Sequence, residues 1–410
     1  MSRARRILLA VAFVLVIVGV AYFLYATFFA APGGQPGVLG GANAPTGGLN
    51  LANIGGGALP VANLGAPGAL VAGGGRPAEV ASGGLTLSST LVPTVVSNVQ
   101  LASDGKSLYY YDQATGQFFK IDPATGVSVP LSSQLFPGVD KASWSPDGQA
   151  KSILEFPDGR KIFYDFNAQK QVSLPSHWED FDWAPTGNEI VAKSMGADPN
   201  NRFLIVANPD GSNARPVEQL GTNGDLVDVS YSPNNQMVAM SRTGEAQALG
   251  QQQILPIGKN QENFRAFTVD GIGYKGLWSP DGARILYSAS GQASDWKPAL
   301  WSINGTGNNI GTDRKQIGLL TWADKCTFSG PSTAYCAAPR DLPQGAGFSR
   351  GVADGTPDDL YKVDLATGQY RLVASPDTDA AISKVIVSKD GSTLYYTELA
   401  SGALKTIRLR

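Results

Sequence analysis

Histidine is almost missing from this chain: His177 is the only one in 410 residues. A Ser-His-Asp triad or a multi-histidine metal centre would have to be built around that single side chain or not at all. Cysteine is nearly as scarce, with Cys326 and Cys336 as the whole thiol inventory, which excludes a cysteine-rich metal scaffold. Charged residues are only 16% of the chain, against about a quarter in ordinary globular domains. Lys plus Arg number 32 and Asp plus Glu 34, a net charge of -2 with no basic cluster beyond the first few residues. That balance excludes a nucleic-acid-binding face, which needs concentrated Lys and Arg. What is abundant is 49 Gly, 26 Pro and 43% hydrophobic residues, the mixture of short strands and many turns.

The N-terminus differs from everything after it. Residues 7–31 run ILLAVAFVLVIVGVAYFLYATFFAA without a charge, about 25 residues where roughly 20 span a hydrocarbon core. Arg3, Arg5 and Arg6 precede the run and should hold that end in the cytoplasm, so the rest of the chain is expected outside it. A cleaved signal peptide is the rival reading, but its apolar core is usually about 7 to 15 residues. From residue 32 to 83 the composition changes to Gly, Ala, Pro, Asn and Leu, with no charge before Arg76. Apolar residues so scattered among glycines do not repay the entropy of ordering, and a flexible linker is expected. The predicted divisions are therefore a cytoplasmic stub and transmembrane signal anchor at 1–31, a linker at 32–83 and a folded domain at 84–410.

Within that domain one phrase recurs. Trp144-Ser145-Pro146-Asp147-Gly148 returns as Trp278-Ser279-Pro280-Asp281-Gly282, with looser copies at Trp183-Ala184-Pro185-Thr186-Gly187, Tyr231-Ser232-Pro233-Asn234-Asn235, Ser103-Asp104-Gly105 and Ser388-Lys389-Asp390-Gly391. Pro presets the turn, Asp bonds its own backbone, and Gly takes the positive φ that closes a hairpin. Aromatic and β-branched runs follow each turn, such as Ser107 to Tyr111, Glu189 to Ala192, Arg284 to Tyr287 and Thr393 to Tyr396. The copies fall roughly 40 to 60 residues apart, the period of a four-stranded propeller blade.

These residues resemble the TolB-like, WD-like propeller repeat of bacterial envelope proteins and of the non-catalytic propellers of prolyl oligopeptidases. The likeness covers about 320 residues from near Gly84 onward. It implies an all-β, seven-bladed β-propeller of four-stranded antiparallel blades, here preceded by one N-terminal transmembrane helix and a disordered linker. In that family the Ser-Pro-Asp-Gly residues shape turns and do no chemistry. TolB carries an α/β domain where this chain has its apolar run and linker, so TolB's partners do not carry over. No Gly-x-Ser-x-Gly elbow of the peptidases' hydrolase domain is expected. Sialidase repeats need Ser-x-Asp-x-Gly-x-x-Trp, whereas these place Gly directly after Asp.

Turn anchors at Ser103, Ser145, Ala184, Ser232, Ser279, Ser329 and Ser388 count seven units. The last shows only three strand runs, so Leu85 to Val92 is predicted to pair beside the C-terminal strand and close the ring. Cys326 and Cys336 flank a degenerate turn anchored on Phe328-Ser329. If strands leave both sides of it, a disulfide can bridge the hairpin in an oxidising compartment. Two buried thiols and a two-Cys metal pair are the alternatives.

No catalytic, metal or cofactor-binding residue is expected. His177, in Leu174-Pro175-Ser176-His177-Trp178-Glu179-Asp180, reads as a loop residue beside Trp178. Glu179-Asp180 and Asp358-Asp359 could act as acid and base, but adjacency in sequence does not set catalytic geometry; hydrophilic loop residues are the plainer reading. Asn304-Gly305-Thr306 is both a glycosylation sequon and a tight-turn signal. Lys384 to Lys389 and Arg408 to Arg410 read as solvated strand ends. Two stretches, Thr243 to Arg265 and Pro339 to Pro357, read as long connecting loops, where propellers place recognition. Two functions are compatible with these features. One is a membrane-tethered extracytoplasmic module that binds a protein, peptide or glycan; the other is an extracytoplasmic hydrolase or lyase with its site at the channel mouth.

Overall fold

The computed structural model describes residues 76–245, 248 and 250–410. The expected membrane span at residues 7–31 and most of the linker lie outside the described residues. Among the described residues no helix is long and apolar enough to cross a membrane.

The described residues form seven sheets, each built on four antiparallel strands. Each begins with its innermost strand: Val96–Leu101 in blade 1, Lys141–Trp144 in blade 2, Trp178–Trp183 in blade 3, Val227–Val229 in blade 4, Ile272–Trp278 in blade 5, Cys326–Phe328 in blade 6 and Ile382–Val387 in blade 7. Hydrophobic clusters join the blades pairwise. Tyr111 and Phe118 of blade 1 pack with Leu154 and Tyr164 of blade 2, and the same relation runs through blades 2 and 3, 3 and 4, 4 and 5, 5 and 6, and 6 and 7. The seventh cluster joins Ile386 and Tyr395 of blade 7 to Val99 and Leu108 of blade 1, so the ring is closed.

The recurring phrase performs three separate jobs. Its serine is buried and donates to the acid or amide two residues on, in Ser145–Asp147 at 2.8 Å, Ser232–Asn234 at 2.7 Å, Ser279–Asp281 at 2.6 Å and Ser388–Asp390 at 2.7 Å. The same hydroxyl accepts the first amide of the next strand from Met237, Arg284 and Thr393. Its glycine is left-handed, and at Gly148 (φ 72°) a Cβ would stand 2.5 Å from the Ser103 backbone of the preceding blade. Its tryptophan reaches backwards: Trp144 donates to the Asn98 carbonyl at 2.7 Å, Trp183 to the Ser143 carbonyl at 2.9 Å, and Trp278 to Ser230 at 3.0 Å. Each indole thus ties its own blade to the inner strand of the one before or, for Trp278, to the residue that follows it.

Ring closure is divided between two blades. Ser89–Val92 pairs antiparallel with Leu404–Arg408 and completes blade 7, as expected. Gly84–Thr86 does not: it runs parallel to Tyr370–Pro376 as a fifth strand on blade 6. The single strand read from Leu85 to Val92 is broken at Ser88, whose amide and hydroxyl both bond Asp377, at 2.9 and 2.6 Å, and turn the chain from one blade to the next. Attachment begins earlier, with Ala78 donating to Leu85 and Ala81 to Arg408.

The stretch from Thr243 to Arg265 is largely not a loop. Met237–Gly244 and Gln251–Gly258 are paired strands of blade 4, and the glutamines serve on the sheet. Asn304 follows the turn reading, its Oδ1 accepting both the amide and hydroxyl of Thr306.

Candidate functional site

Inner strands alone face the propeller axis, so the charges they carry meet only once the ring is closed. Lys141 comes from blade 2, Glu179, Asp180 and Asp182 from blade 3, Asp228 from blade 4, Lys275 from blade 5 and Lys384 from blade 7. Four of these strands are bulged, with register shifts against their neighbours at Ser97/Gln100, Glu179/Asp182, Ile272/Lys275 and Ile382/Lys384. The bulges of blades 1, 3 and 5 are built on the left-handed residues Asn98, Asp180 and Gly273. A bulge re-aims the side chains around it.

Most of these groups are neutralised in pairs. Asp180 accepts from Lys193 at 2.7 Å, and Lys193 itself is buried. Burial alone would raise the Asp180 pKa, but Lys193, then Lys141 and Lys275 from neighbouring blades, outweigh it and hold the carboxyl below its ordinary range. Asp228 lies 3.1 Å from Arg242 and 3.7 Å from Lys275. Glu155 lies between Lys141 at 3.6 Å and Lys161 at 3.4 Å, and Glu398 accepts from Ser401 and lies 3.4 Å from Lys405.

Two groups stand apart. Asp182 accepts only backbone amides, from Tyr231 at 2.7 Å and Trp183 at 2.8 Å. Its enclosure by protein outweighs those two donors and raises its pKa to about 6. Lys384 donates to the Val99 carbonyl at 2.8 Å. It is in mid-strand, not at a solvated end, open to channel water yet ringed by protein, and that confinement lowers its pKa.

Inner strands start on one face of the disc, and the connections between second and third strands return to that face. The 340–357 connection of blade 6 is an ordered platform there. Two short 3-10 turns, Ala346–Phe348 and Arg350–Ala353, bury Leu342, Ala346 and Ala353 in a small core of their own. It docks on the Gly291–Lys297 connection of blade 5, with Gly345 donating to Asp295 and Gly347 to Trp296. Gly347 admits no side chain, since a Cβ would fall 2.0 Å from the Ser290 hydroxyl. Phe348 lies tilted beside Trp296, ring centroids 5.2 Å apart, yet stays 64% exposed, and Val352 is 50% exposed.

At the foot of the 340–357 connection lies a buried ion pair. Lys325 bonds both oxygens of Asp358, at 2.6 and 2.7 Å, with both side chains buried. Burial pushes the Asp358 pKa up against the pull of Lys325, and pushes that of Lys325 down against the pull of Asp358. Asp359 pairs instead with Arg340 at 2.9 Å. Neither Asp358 nor Asp359 is a loop residue; both open the strand Asp358–Asp364.

The two cysteines are bridged, with Cα atoms 4.0 Å apart at directly opposed positions of one hairpin. His177 is exposed and contributes its carbonyl to Met195. Among the described residues no group of three or more His, Cys, Asp or Glu could hold a metal ion.

No family model matches the sequence and no curated protein matches it. Solved structures do match. An oligogalacturonate lyase in complex with manganese aligns with a TM-score of 0.53 at 14% identity, over 79% of this chain and 93% of that one. The β-propeller domain of Myceliophteria thermophila Cps50 (Swd1) aligns at 0.52 and 11%, over 79% and 100%. Kuenenia stuttgartiensis hydrazine synthase aligns at 0.51 and 13%, over 78% and 96%. Likeness at this identity shows the propeller fold and nothing about activity.

Proposed function

We propose that this chain is a membrane-tethered extracytoplasmic propeller that binds a protein, peptide or glycan and carries out no reaction. One observation carries the reading: at the channel mouth Asp180, Asp228, Glu155, Asp358 and Glu398 are each held by a cation, while the platform beside them leaves Phe348 and Val352 uncovered. Carboxylates locked in ion pairs are poor proton shuttles, and exposed apolar side chains such as Phe348 on an ordered loop are what partner surfaces use. The test is affinity capture with the full chain from its native membrane. A partner held by the wild type and lost with Phe348→Asp or Val352→Asp supports the reading. Full retention by both variants removes the platform from it. The tether is tested by carbonate washing, which should leave the full chain with membranes.

One observation favours the enzyme reading instead. Asp182, on the inner strand of blade 3, has its pKa raised to about 6, suited to exchange protons near neutral pH. Oligogalacturonate, the substrate named for one similar structure, is the obvious probe. Turnover abolished by Asp182→Asn would replace the binding reading with this one.

A further inference from the structure

Blade 6 sets two cations face to face. Lys362 and Arg371 are directly opposed on neighbouring strands, and Tyr335 is directly opposed to Lys362 on the other side. Opposed residues project from the same face of a sheet, so the three form one row, and like charges placed this way destabilise it. The row faces blade 7, where Tyr335 packs with Val385, Leu394 and Ile407.

Elsewhere comparable cations have acids: Lys120 has Asp104 at 2.9 Å, and Arg284 and Lys315 share Asp313 at 2.9 and 3.4 Å. Among the described residues neither Lys362 nor Arg371 has a carboxylate partner, and the Lys362 ammonium lies 6.0 Å over the Tyr335 ring. Blade 7 adds Lys389 and Arg410, and the two blades enclose an open cavity of about 400 Å³ also lined by Ser332 and Thr333. Its one lining side-chain carboxylate, Asp390, is already committed to Ser388 and Ser392. Arg410 is held on the Asp390 carbonyl. Setting Arg410 aside, three cations face one carboxylate across a concave surface.

We propose that this cavity binds a phosphate-bearing ligand, clamped by Arg371 and Lys362 from blade 6 and Lys389 from blade 7. A guanidinium and ammonium groups lining one cavity suit an oxyanion with several acceptor oxygens and up to two charges. A lone carboxylate would leave most of the repulsion between Lys362 and Arg371 in place. The volume leaves room beside the phosphate for a group of sugar or glycerol size. The phosphate could be carried by a soluble ester, a glycan or a lipid headgroup, and the recognising chemistry is the same. This site stands on the opposite end of the blades from the platform and does not rest on the binding reading above.

The experiment is calorimetric titration of the detergent-solubilised full chain with inorganic pyrophosphate, at low ionic strength where such contacts are least screened. Saturable binding is expected, weakened about tenfold or more, over 1.4 kcal/mol, in Arg371→Gln and in Lys362→Gln. It should be unchanged in Lys170→Gln on the far side of the ring. Removing one of two facing cations should leave the unliganded variants at least as heat-stable as the wild type, so lost binding is not lost folding. Glycerol 3-phosphate and dihexanoyl phosphatidylglycerol then separate the sources: preference for the first assigns a soluble or glycan ester, for the second a lipid headgroup, and both uphold the site. No binding by the wild type, or equal weakening in Lys170→Gln, overturns it.

Discussion

The Asp358 carboxylate belongs to two blades at once: it bonds Lys325 through both oxygens and also accepts the Ile382 amide of blade 7 at 2.6 Å. Removing one partner of a buried pair strands the other charge, typically at about 3–5 kcal/mol. Lys325→Met should lower the unfolding free energy by about that amount, read from urea titration. Asp358→Leu should cost at least as much, because it also orphans the Ile382 amide. Losses below about 1 kcal/mol would show that water reaches the pair.

The Cys326–Cys336 bridge closes a loop of about ten residues, which limits its contribution to about 1–3 kcal/mol. Reduction under denaturant, or Cys326→Ala with Cys336→Ala, should lower stability by that amount and loosen blade 6 locally. Hydrogen exchange should show faster amides in Cys326–Phe328 and Thr333–Pro339 and unchanged ones in blades 2 to 4. Uniform acceleration around the ring would contradict this.

Asp182 gives the fold a pH signature. Its folded pKa is raised to about 6, above the roughly 3.9 of an unfolded chain, so the folded state binds its proton more tightly. The stability it contributes is full below about pH 4 and is lost as pH rises through 6. The difference in stability between the wild type and Asp182→Asn should therefore change across pH 4 to 6 and be flat from 7 to 8. The lowered Asp180 has the opposite sign, with stability lost as pH falls through its folded pKa, so only the difference isolates Asp182. A flat difference across pH 4 to 6 would remove the argument that enclosure dominates there.

The two closing strands make separable predictions. A chain starting at Ser88 keeps Ser89–Val92 on blade 7 and loses the fifth strand of blade 6, with the buried Thr86, and the Ala81 contact to Arg408. It should stay monomeric and melt at a lower temperature. A chain starting at Pro93 exposes the edge of Leu404–Arg408 and should self-associate in light scattering. A monomeric protein starting at Pro93 would show that closure does not depend on that ladder.

The seven blades were legible because the residues that shape each turn are local. Ser279, Asp281 and Gly282 settle one hairpin among themselves, and a five-residue phrase carries that information. The disulfide was legible for the same reason, since Cys326 and Cys336 oppose each other across one hairpin. The channel was not: Lys141, Asp180 and Lys275 are separated in sequence and meet only when blades 2, 3 and 5 share an axis. The cationic row of blade 6 needs the register of three strands. Ser88 gave no sign that it breaks a strand, because its partner Asp377 is 289 residues away. The glutamines of Gln251–Gly258 resembled a loop because their polarity hides an ordinary ladder.

A last consequence concerns mechanics. Tension drawn along the chain from ahead of Ala78 does not arrive first at the ladder that seals the ring. It must first strip Ala81 from Arg408, peel Gly84–Thr86 from its parallel track and pull Ser88 off Asp377 before Ser89–Val92 carries any load. Those outer contacts act as a fuse, placed to yield before the ladder that keeps the ring shut.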